Sequence, residues 1–186
     1  PEVANFEGIF KGRMLLSLRS DWTVGGKTHK QDSLLAVSFD RFLRGQRNFD
    51  VLYEPSPRVS LQSVRTTKDV VLITTLDNVR GKLTSLTPGT DGWTREPIAL
   101  PGIGTVSIGA TDEWKSTYFY SYTDFLNPST LFLVENGKPE KVKTAPAFFN
   151  ADGMKVEQLE ATSKDGTKIP YFLVTPKGFK ADGKTP

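Results

Sequence analysis

A β-rich unit recurs along the chain, and this recurrence constrains the fold more than any other feature of the sequence. An offset of 44 residues brings the middle of the chain into register with a later part. The similar residues that it aligns are Ser63 with Ser107, Thr67 with Thr111, Glu96 with Glu140 and Ile98 with Val142. A period of about 40 to 50 residues with four strands in each unit is typical of β-propeller blades. The sequence therefore predicts consecutive blades.

Short runs rich in β-branched and aromatic residues make up each unit, and 16 Gly and 12 Pro largely fall between them. No long stretch keeps the spacing of an amphipathic helix. The predicted strands are residues 13–19, 33–39, 49–53, 61–65, 70–76, 81–86, 96–100, 105–108, 116–122, 130–135 and 140–144. They form two complete blades and most of a third, so we predict an all-β fold, a partial β-propeller of about three four-stranded blades.

The pattern changes after Pro146. Residues 148–155 resemble a linker, and two further strands, 156–162 and 168–175, flank Asp165-Gly166. Asp-Gly is typical of a hairpin turn, and Pro170, which has no N–H to donate, predicts an edge strand or a bulge. A single hairpin is not stable alone, so we expect it to belong to a further domain.

An aspartate recurs where a strand of each unit ends, at Asp21, Asp77 and Asp124. A carboxylate at such a position accepts hydrogen bonds from the backbone N–H groups of the following turn. We predict this capping role rather than a catalytic one.

Composition excludes several classes of function. The chain has 24 Lys and Arg against 21 Asp and Glu, a net charge of +3, which argues against a polybasic nucleic-acid arm. The absence of cysteine and the single histidine, His29, exclude thiolate chemistry and multi-histidine metal sites. We expect no cofactor and no metal. The apolar runs are far shorter than the ~20 residues that cross a bilayer, and no signal-like stretch opens the chain, so we expect no membrane partner. The compartment stays undetermined.

No catalytic serine is evident. A nucleophile elbow needs Gly-x-Ser-x-Gly, and in Gly104-Thr105-Val106-Ser107-Ile108-Gly109 the first glycine lies one residue too far from the serine. The repeat explains Ser107 as the strand residue equivalent to Ser63. Gly102-Ile103-Gly104 lacks the third glycine and the following helix of a dinucleotide site.

The segment from Trp22 to Asp32 is predicted to be a long loop around Gly25-Gly26 and is a candidate binding loop. His29 lies in it between Lys27 and Lys30. Because the sequence places no partner beside it, we predict a solvated surface histidine rather than a general base.

A basic cluster alternates with aromatic residues near the start of the chain: Arg41, Arg44 and Arg47 with Phe39, Phe42 and Phe49. Such alternation can form a platform for single-stranded nucleic acid. The near-neutral charge and the flanking Asp40 and Asp50 favour a solvated hairpin turn, and we expect no nucleic-acid partner. Asp112-Glu113 has no second carboxylate placed for glycoside hydrolysis and is predicted to be a solubilising turn.

Two stretches are more specific. Tyr120 to Phe132 contains the pattern Tyr-Ser-x-Thr-x-Phe-x-x-Pro, and Val156 to Val174 reads VEQLEATSKDGTKIPYFLV. The first resembles the last propeller blade of the prolyl oligopeptidase family of serine peptidases, and the second resembles the first hairpin on re-entering its hydrolase domain. The blade pattern extends this resemblance over essentially the whole chain.

The resemblance implies a division into three parts. Residues 1–147 would be later blades of a seven-bladed propeller, 148–155 a linker acting as a hinge, and 156–186 the first strands of a truncated α/β-hydrolase domain. The family's serine, aspartate and histidine would lie beyond Pro186. No catalytic, cofactor-binding or metal-binding residue is therefore assigned to this chain, which we expect to be inactive alone.

The implied function is a non-catalytic propeller segment that filters substrate by size in a peptidase of short peptides, which family members cut after proline or after basic residues. Its partners would be the remaining blades and the hydrolase domain of the same polypeptide, and the short peptide substrate. The alternative is a freestanding propeller-type protein- or peptide-binding module without enzyme activity. A carbohydrate-binding β-sandwich fits the repeat poorly. Three blades do not close a ring, so we expect the isolated segment to self-associate or to be partly disordered.

Overall fold

The computed structural model describes residues 2–183, and its strands form three consecutive four-stranded antiparallel sheets and a hairpin. The first sheet, blade 1, has the order β1-β2-β5-β6 and carries a small two-stranded sheet between β2 and β5. The elements of this part are β1 (Ala4–Phe10), β2 (Arg13–Leu18), β3 (Trp22–Val24), β4 (Lys27–His29), β5 (Leu34–Ser38), α1 (Phe39–Leu43) and β6 (Asp50–Tyr53).

Blades 2 and 3 each contain four sequential strands, as the repeat predicts. Blade 2 consists of β7 (Val59–Thr66), β8 (Val71–Asp77), β9 (Arg80–Pro88) and β10 (Trp93–Ile98). Blade 3 consists of β11 (Thr105–Thr111), β12 (Tyr118–Thr123), β13 (Thr130–Glu135) and β14 (Lys138–Thr144). Ser63 and Ser107 both lie in the first strand of their blade, and Glu96 and Glu140 both lie in the fourth. The repeat alignment and the all-β fold class are therefore confirmed.

The last two strands form the predicted hairpin, β15 (Lys155–Thr162) and β16 (Lys168–Thr175). The Asp165 carboxylate accepts a 3.0 Å hydrogen bond from the backbone N–H of Thr167 in the connecting turn. Pro170 pairs with Glu160 in a sheet of two strands, each of which has an unpaired edge. In the described residues 2–183, no helix is long and apolar enough to cross a membrane.

Apolar side chains fill the spaces between neighbouring blades. Strand β8 is buried on both faces, since Val71 and Ile73 pack toward blade 1 while Leu72 packs toward blade 3. This explains its nearly continuous apolar sequence, because a strand between two packed layers has no polar face. Full burial of each such side chain contributes about 1.5–3 kcal/mol relative to exposure. The inter-blade layers therefore supply most of the core.

The two outer layers of the three-blade stack differ. On blade 1, the buried side chains Met14, Leu16 and Val37 are covered by Phe42 and Phe49 of the same chain. The outer face of blade 1 therefore exposes less apolar surface than it would without this cover. On the far side of blade 3, Phe119, Leu131 and Leu133 are half-buried. Self-association of the segment stays a prediction, and we expect it to occur through this outer face of blade 3.

The first strand of each blade lies innermost. Strand β14 is exposed along its whole length and β10 along most of it, as expected of perimeter strands. The first strands β7 and β11 contact each other across the blade boundary, and radial sheets approach one another most closely at the axis. The turns that follow β1, β7 and β11 therefore surround the axis at one end of the blades.

The structure adds elements that the sequence did not predict. Strand β1 completes blade 1, so three blades are complete rather than two and most of a third. The predicted loop from Trp22 to Asp32 contains the hairpin β3–β4, with Gly25 and Gly26 at positive φ in its turn. The fourth strand of blade 2 begins at Trp93, ahead of the predicted residue 96.

Candidate channel and domain interface

The innermost strands of blades 1 and 2 border a polar cleft of about 500 Å³. Asn5 and Glu7 of β1 line one side, and Gln62 and Arg65 of β7 line the other. Ser17 of β2 donates a 2.6 Å hydrogen bond to the Glu7 carboxylate, which holds that side chain in place. Because β1 and β7 are innermost, the cleft opens toward the axis of the blades. We call it the axial cleft.

The axial cleft has the chemistry of a binding surface. Its amides and charges of both signs match the N–H and C=O groups and the charged termini of an extended peptide. Its carboxylates, Glu7 and Asp32, and its amides can hold a chain through hydrogen bonds and ion pairs. Sequence analysis missed the residues of β1 because its alternation of apolar and polar residues ends after Glu7, at the bulge beside Gly8.

The hairpin β15–β16 docks on one end of blades 2 and 3, which we call the hairpin end. Arg58, just before β7, forms an ion pair with Glu160. Arg80 donates a hydrogen bond to the Gln158 side chain, and the Gln158 amide donates to the Asn78 carbonyl oxygen. These contacts join β15 to the loop before β7 and to the β8–β9 turn.

An aromatic contact adds blade 3 to this interface. The rings of Phe125, in the loop after β12, and Phe172, in β16, have centroids 5.1 Å apart. Phe125 belongs to the Tyr-Ser-x-Thr-x-Phe pattern of the sequence. The hairpin is therefore fixed to two blades by polar and apolar contacts together.

Asp124 organises the loop that carries Phe125. Its carboxylate accepts hydrogen bonds from the backbone N–H groups of Leu126 (2.8 Å) and Asn127 (2.7 Å), and from the Tyr122 hydroxyl (2.7 Å). Burial opposes ionisation of Asp124, but these hydrogen bonds outweigh it and lower its pKa. Burial, and next the Asp124 carboxylate, raises the pKa of Tyr122. The predicted capping role is confirmed for Asp124.

The other recurrent aspartates differ from each other. The Asp21 carboxylate accepts a 2.8 Å hydrogen bond from the backbone N–H of Gln31, so it caps the chain just after the β3–β4 hairpin. Asp77 instead lies within β8 and pairs in register with Arg80 across a two-residue turn. No capping hydrogen bond to Asp77 occurs within residues 2–183, so the prediction is wrong for this residue.

His29 is buried, and the prediction of a solvated surface histidine is wrong. The residue lies on β4 opposite Trp22 and is only 5% exposed, with its ring 5.8 Å from that of Phe49. Burial, and next the charge of Lys27, lowers the pKa of His29, while Glu54 acts in the opposite direction. No local pattern indicates this burial, because the ring that covers His29 belongs to Phe49, which is distant along the chain.

The serine and glycine motifs have structural roles. Ser107 pairs with Ser121 in the β11–β12 ladder. Gly104 lies where a Cβ would meet the Thr123 carbonyl oxygen and, at 2.8 Å, the Tyr122 hydroxyl. Its carbonyl oxygen accepts a 2.8 Å hydrogen bond from the N–H of Gly81 in the neighbouring blade. Gly104 therefore allows the loop before β11 to pass close to β12. Gly81, where a Cβ would meet the Gly104 carbonyl oxygen at 2.8 Å, allows blades 2 and 3 to approach closely.

The basic cluster lies in the connection between the antiparallel strands β5 and β6, as predicted, and the first part of this connection forms the one-turn helix α1, which was not predicted. Arg47 stacks over the Phe42 ring, 4.1 Å from its centroid, and donates a 2.9 Å hydrogen bond to the Phe42 carbonyl oxygen. Asp112 accepts hydrogen bonds from the N–H groups of Trp114 and Lys115, consistent with the predicted turn. Over residues 2–183, His, Asp and Glu side chains form no cluster of three that could hold a metal ion.

The chain is similar to known peptidases. The family model for the prolyl oligopeptidase N-terminal β-propeller domain matches residues 24–145. An uncharacterized peptidase, y4nA, of Sinorhizobium fredii is 36% identical over the whole chain, which covers 26% of that protein. A prolyl endopeptidase of Elizabethkingia miricola is 37% identical over 48% of this chain and 13% of its own length.

A solved structure agrees with these sequence matches. A post-proline cleaving enzyme from Rickettsia typhi superposes on the whole chain with a TM-score of 0.81 at 32% identity, and 28% of that enzyme is covered. The chain thus spans about a quarter of the length of relatives such as y4nA, which match it end to end.

Proposed function

The chain belongs to the prolyl oligopeptidase family, as part of its N-terminal β-propeller, and from this premise we propose that it is a non-catalytic, size-filtering segment of a serine-type peptidase. In this proposal residues 1–147 are later blades, 148–155 form a hinge, and 156–186 begin the hydrolase domain. The other blades and the hydrolase domain of the same polypeptide are its partners. Short peptides are the substrate.

The docked hairpin is the observation that carries this proposal. Its contacts through Gln158, Glu160 and Phe172 fix it over the hairpin end of blades 2 and 3, and we propose that it is the start of the second domain. A domain that continues from β16 would cover this end of the channel. Peptides reaching a site there through the channel would pass the axial cleft, while folded chains would be excluded by size.

The residues of the axial cleft support a binding role. Glu7 and Arg65 offer charges of opposite sign, and Asn5 and Gln62 offer amides. The one histidine of the chain lies on β4, packed against Phe49, and is not among the residues that line this cleft. The nucleophile, its base and the orienting acid are therefore proposed to lie outside residues 1–186.

Covalent labelling of the full-length protein tests this proposal. A fluorophosphonate probe reacts with an activated serine, and peptide mapping identifies the labelled position. We expect the label on a serine outside residues 1–186, and full activity in the Ser107→Ala variant. Labelling of Ser107, or of any serine in this segment, with parallel loss of hydrolysis would overturn the proposal.

The hinge has a separate test. A cross-link between the segment 148–155 and the hydrolase domain restricts separation of the two domains. We expect turnover of longer peptides to fall more than turnover of a short chromogenic peptide. Equal turnover of both before and after cross-linking would argue against a hinge at this position.

A further inference from the structure

One carboxylate connects all three blades at the end opposite the hairpin. Asp69 lies in the β7–β8 turn of blade 2, and its Oδ1 is 2.9 Å from the Nζ of Lys11 in the β1–β2 turn of blade 1. Its other oxygen, Oδ2, accepts a hydrogen bond from the Ser116 hydroxyl, just before β12 of blade 3. We call Lys11, Asp69 and Ser116 the Asp69 junction.

The turn that carries Asp69 is itself held firmly. Thr67 is buried, and its hydroxyl oxygen accepts hydrogen bonds of 3.3 Å from the backbone N–H groups of Asp69 and Val70. The backbone N–H of Lys68 donates to the carbonyl oxygens of Asp112 and Lys115 in blade 3, both at 3.2 Å. Backbone and side-chain hydrogen bonds therefore both join the β7–β8 turn to the β11–β12 turn, and Lys11 joins the β1–β2 turn to them.

The Asp69 junction lies at the mouth of the channel. Each of the three turns follows or precedes an innermost strand, so together they border the channel mouth at this end. Widening the mouth requires neighbouring blades to separate, and both gaps are bridged by the same carboxylate. Hydrogen bonds from Ser116 and Lys11 lower the pKa of Asp69, so it stays ionised at neutral pH.

We propose that Asp69 is a specificity-determining residue that fixes the width of the outer channel mouth, and thereby the largest peptide that enters through the propeller. The inference rests on the proposed size-filtering function and names the residue that sets the limit. Asp69 acts by positioning the turns of three blades and does not contact the reacting bond.

The test compares long and short substrates in the full-length enzyme. The first probe is a short chromogenic peptide that contains a proline-arginine sequence, and the others are longer unstructured peptides that contain this same sequence. The readout is the kcat/KM of the long peptides divided by the kcat/KM of the short peptide. We expect Asp69→Ala to raise this ratio several-fold with little change for the short peptide. Lys11→Met and Ser116→Ala should each raise it less, because each leaves one bridge intact.

Asp91→Ala is the matched control, since Asp91 is an exposed carboxylate in the β9–β10 turn at the same end but near the perimeter. It should leave the ratio unchanged. A wild-type ratio in Asp69→Ala, in an enzyme that does favour short peptides, overturns the inference and leaves the proposed function standing. If the wild type shows no preference for short peptides, both fail. If Asp69→Ala does not fold, Lys11→Met and Ser116→Ala test the inference instead, and a wild-type ratio in both overturns it.

Discussion

The rings of Phe125 and Phe172 lie 5.1 Å apart with their planes at 48°, and they join the loop after β12 to the hairpin β15–β16. Aromatic pairs contribute about 0.5–1.5 kcal/mol beyond the area that they bury. A double-mutant cycle of Phe125→Ala and Phe172→Ala, followed by urea unfolding, should therefore give a coupling energy of this size. The control substitution is Phe148→Ala, because Phe148 is 92% exposed in the segment before β15. Strict additivity of the two substitutions would show that the docking does not depend on this contact.

Gly104 permits the loop before β11 to pass close to the end of β12 within blade 3. In Gly104→Ala the added methyl group would collide with backbone and side-chain atoms of Thr123 and Asp124, so we expect a loss of about 2 kcal/mol or more in the free energy of unfolding. Gly109→Ala is the matched control, because its methyl group would meet Phe119 at an ordinary 3.5 Å. Thermal melting of both variants provides the comparison. Equal stability of the two would contradict this account of the contact between the loop before β11 and β12.

The hydrogen bond from Tyr122 to Asp124 should stabilise the loop that carries Phe125. A hydrogen bond to a charged group contributes about 1.5–3 kcal/mol, so Tyr122→Phe should lower the free energy of unfolding by about 1.5 kcal/mol. It should also raise the pKa of Asp124, because one donor is lost. Tyr120→Phe is the control, since the Tyr120 ring stacks on Phe132 and its hydroxyl makes no hydrogen bond within residues 2–183. We expect the control to be near neutral.

Stability should fall in mild acid because of His29. Its pKa is lowered in the folded chain, so the unfolded chain binds more protons as the pH drops below the ordinary value of about 6.5. The contribution of neutral His29 is therefore complete above that pH and is lost as the pH falls toward the lowered folded value. His29→Gln cannot titrate, and the wild type should lose stability relative to it in urea titrations at decreasing pH. A difference that does not change with pH would contradict this.

The sequence predicted the parts of the fold that repeat. Blades 2 and 3 have the same four strands with similar turns, so the spacing of Ser63 and Ser107 was sufficient to align them. Blade 1 was harder to recognise, because the β3–β4 hairpin and α1 lengthen it and because the alternation of β1 is broken by the bulge at Gly8. The burial of His29 and the Asp69 junction depend on residues brought together only by the packing of elements, and no local pattern marks such contacts.

Hydrolysis by the purified 186-residue chain, measured beside the full-length protein, tests the central claim most directly. The probes are chromogenic peptides with proline or arginine before the cleaved bond. We predict hydrolysis by the full-length protein and none by the chain alone at any concentration. Hydrolysis that rises with the concentration of the chain alone, and that is lost in Ser107→Ala, would contradict the account of this segment as a non-catalytic part of the enzyme.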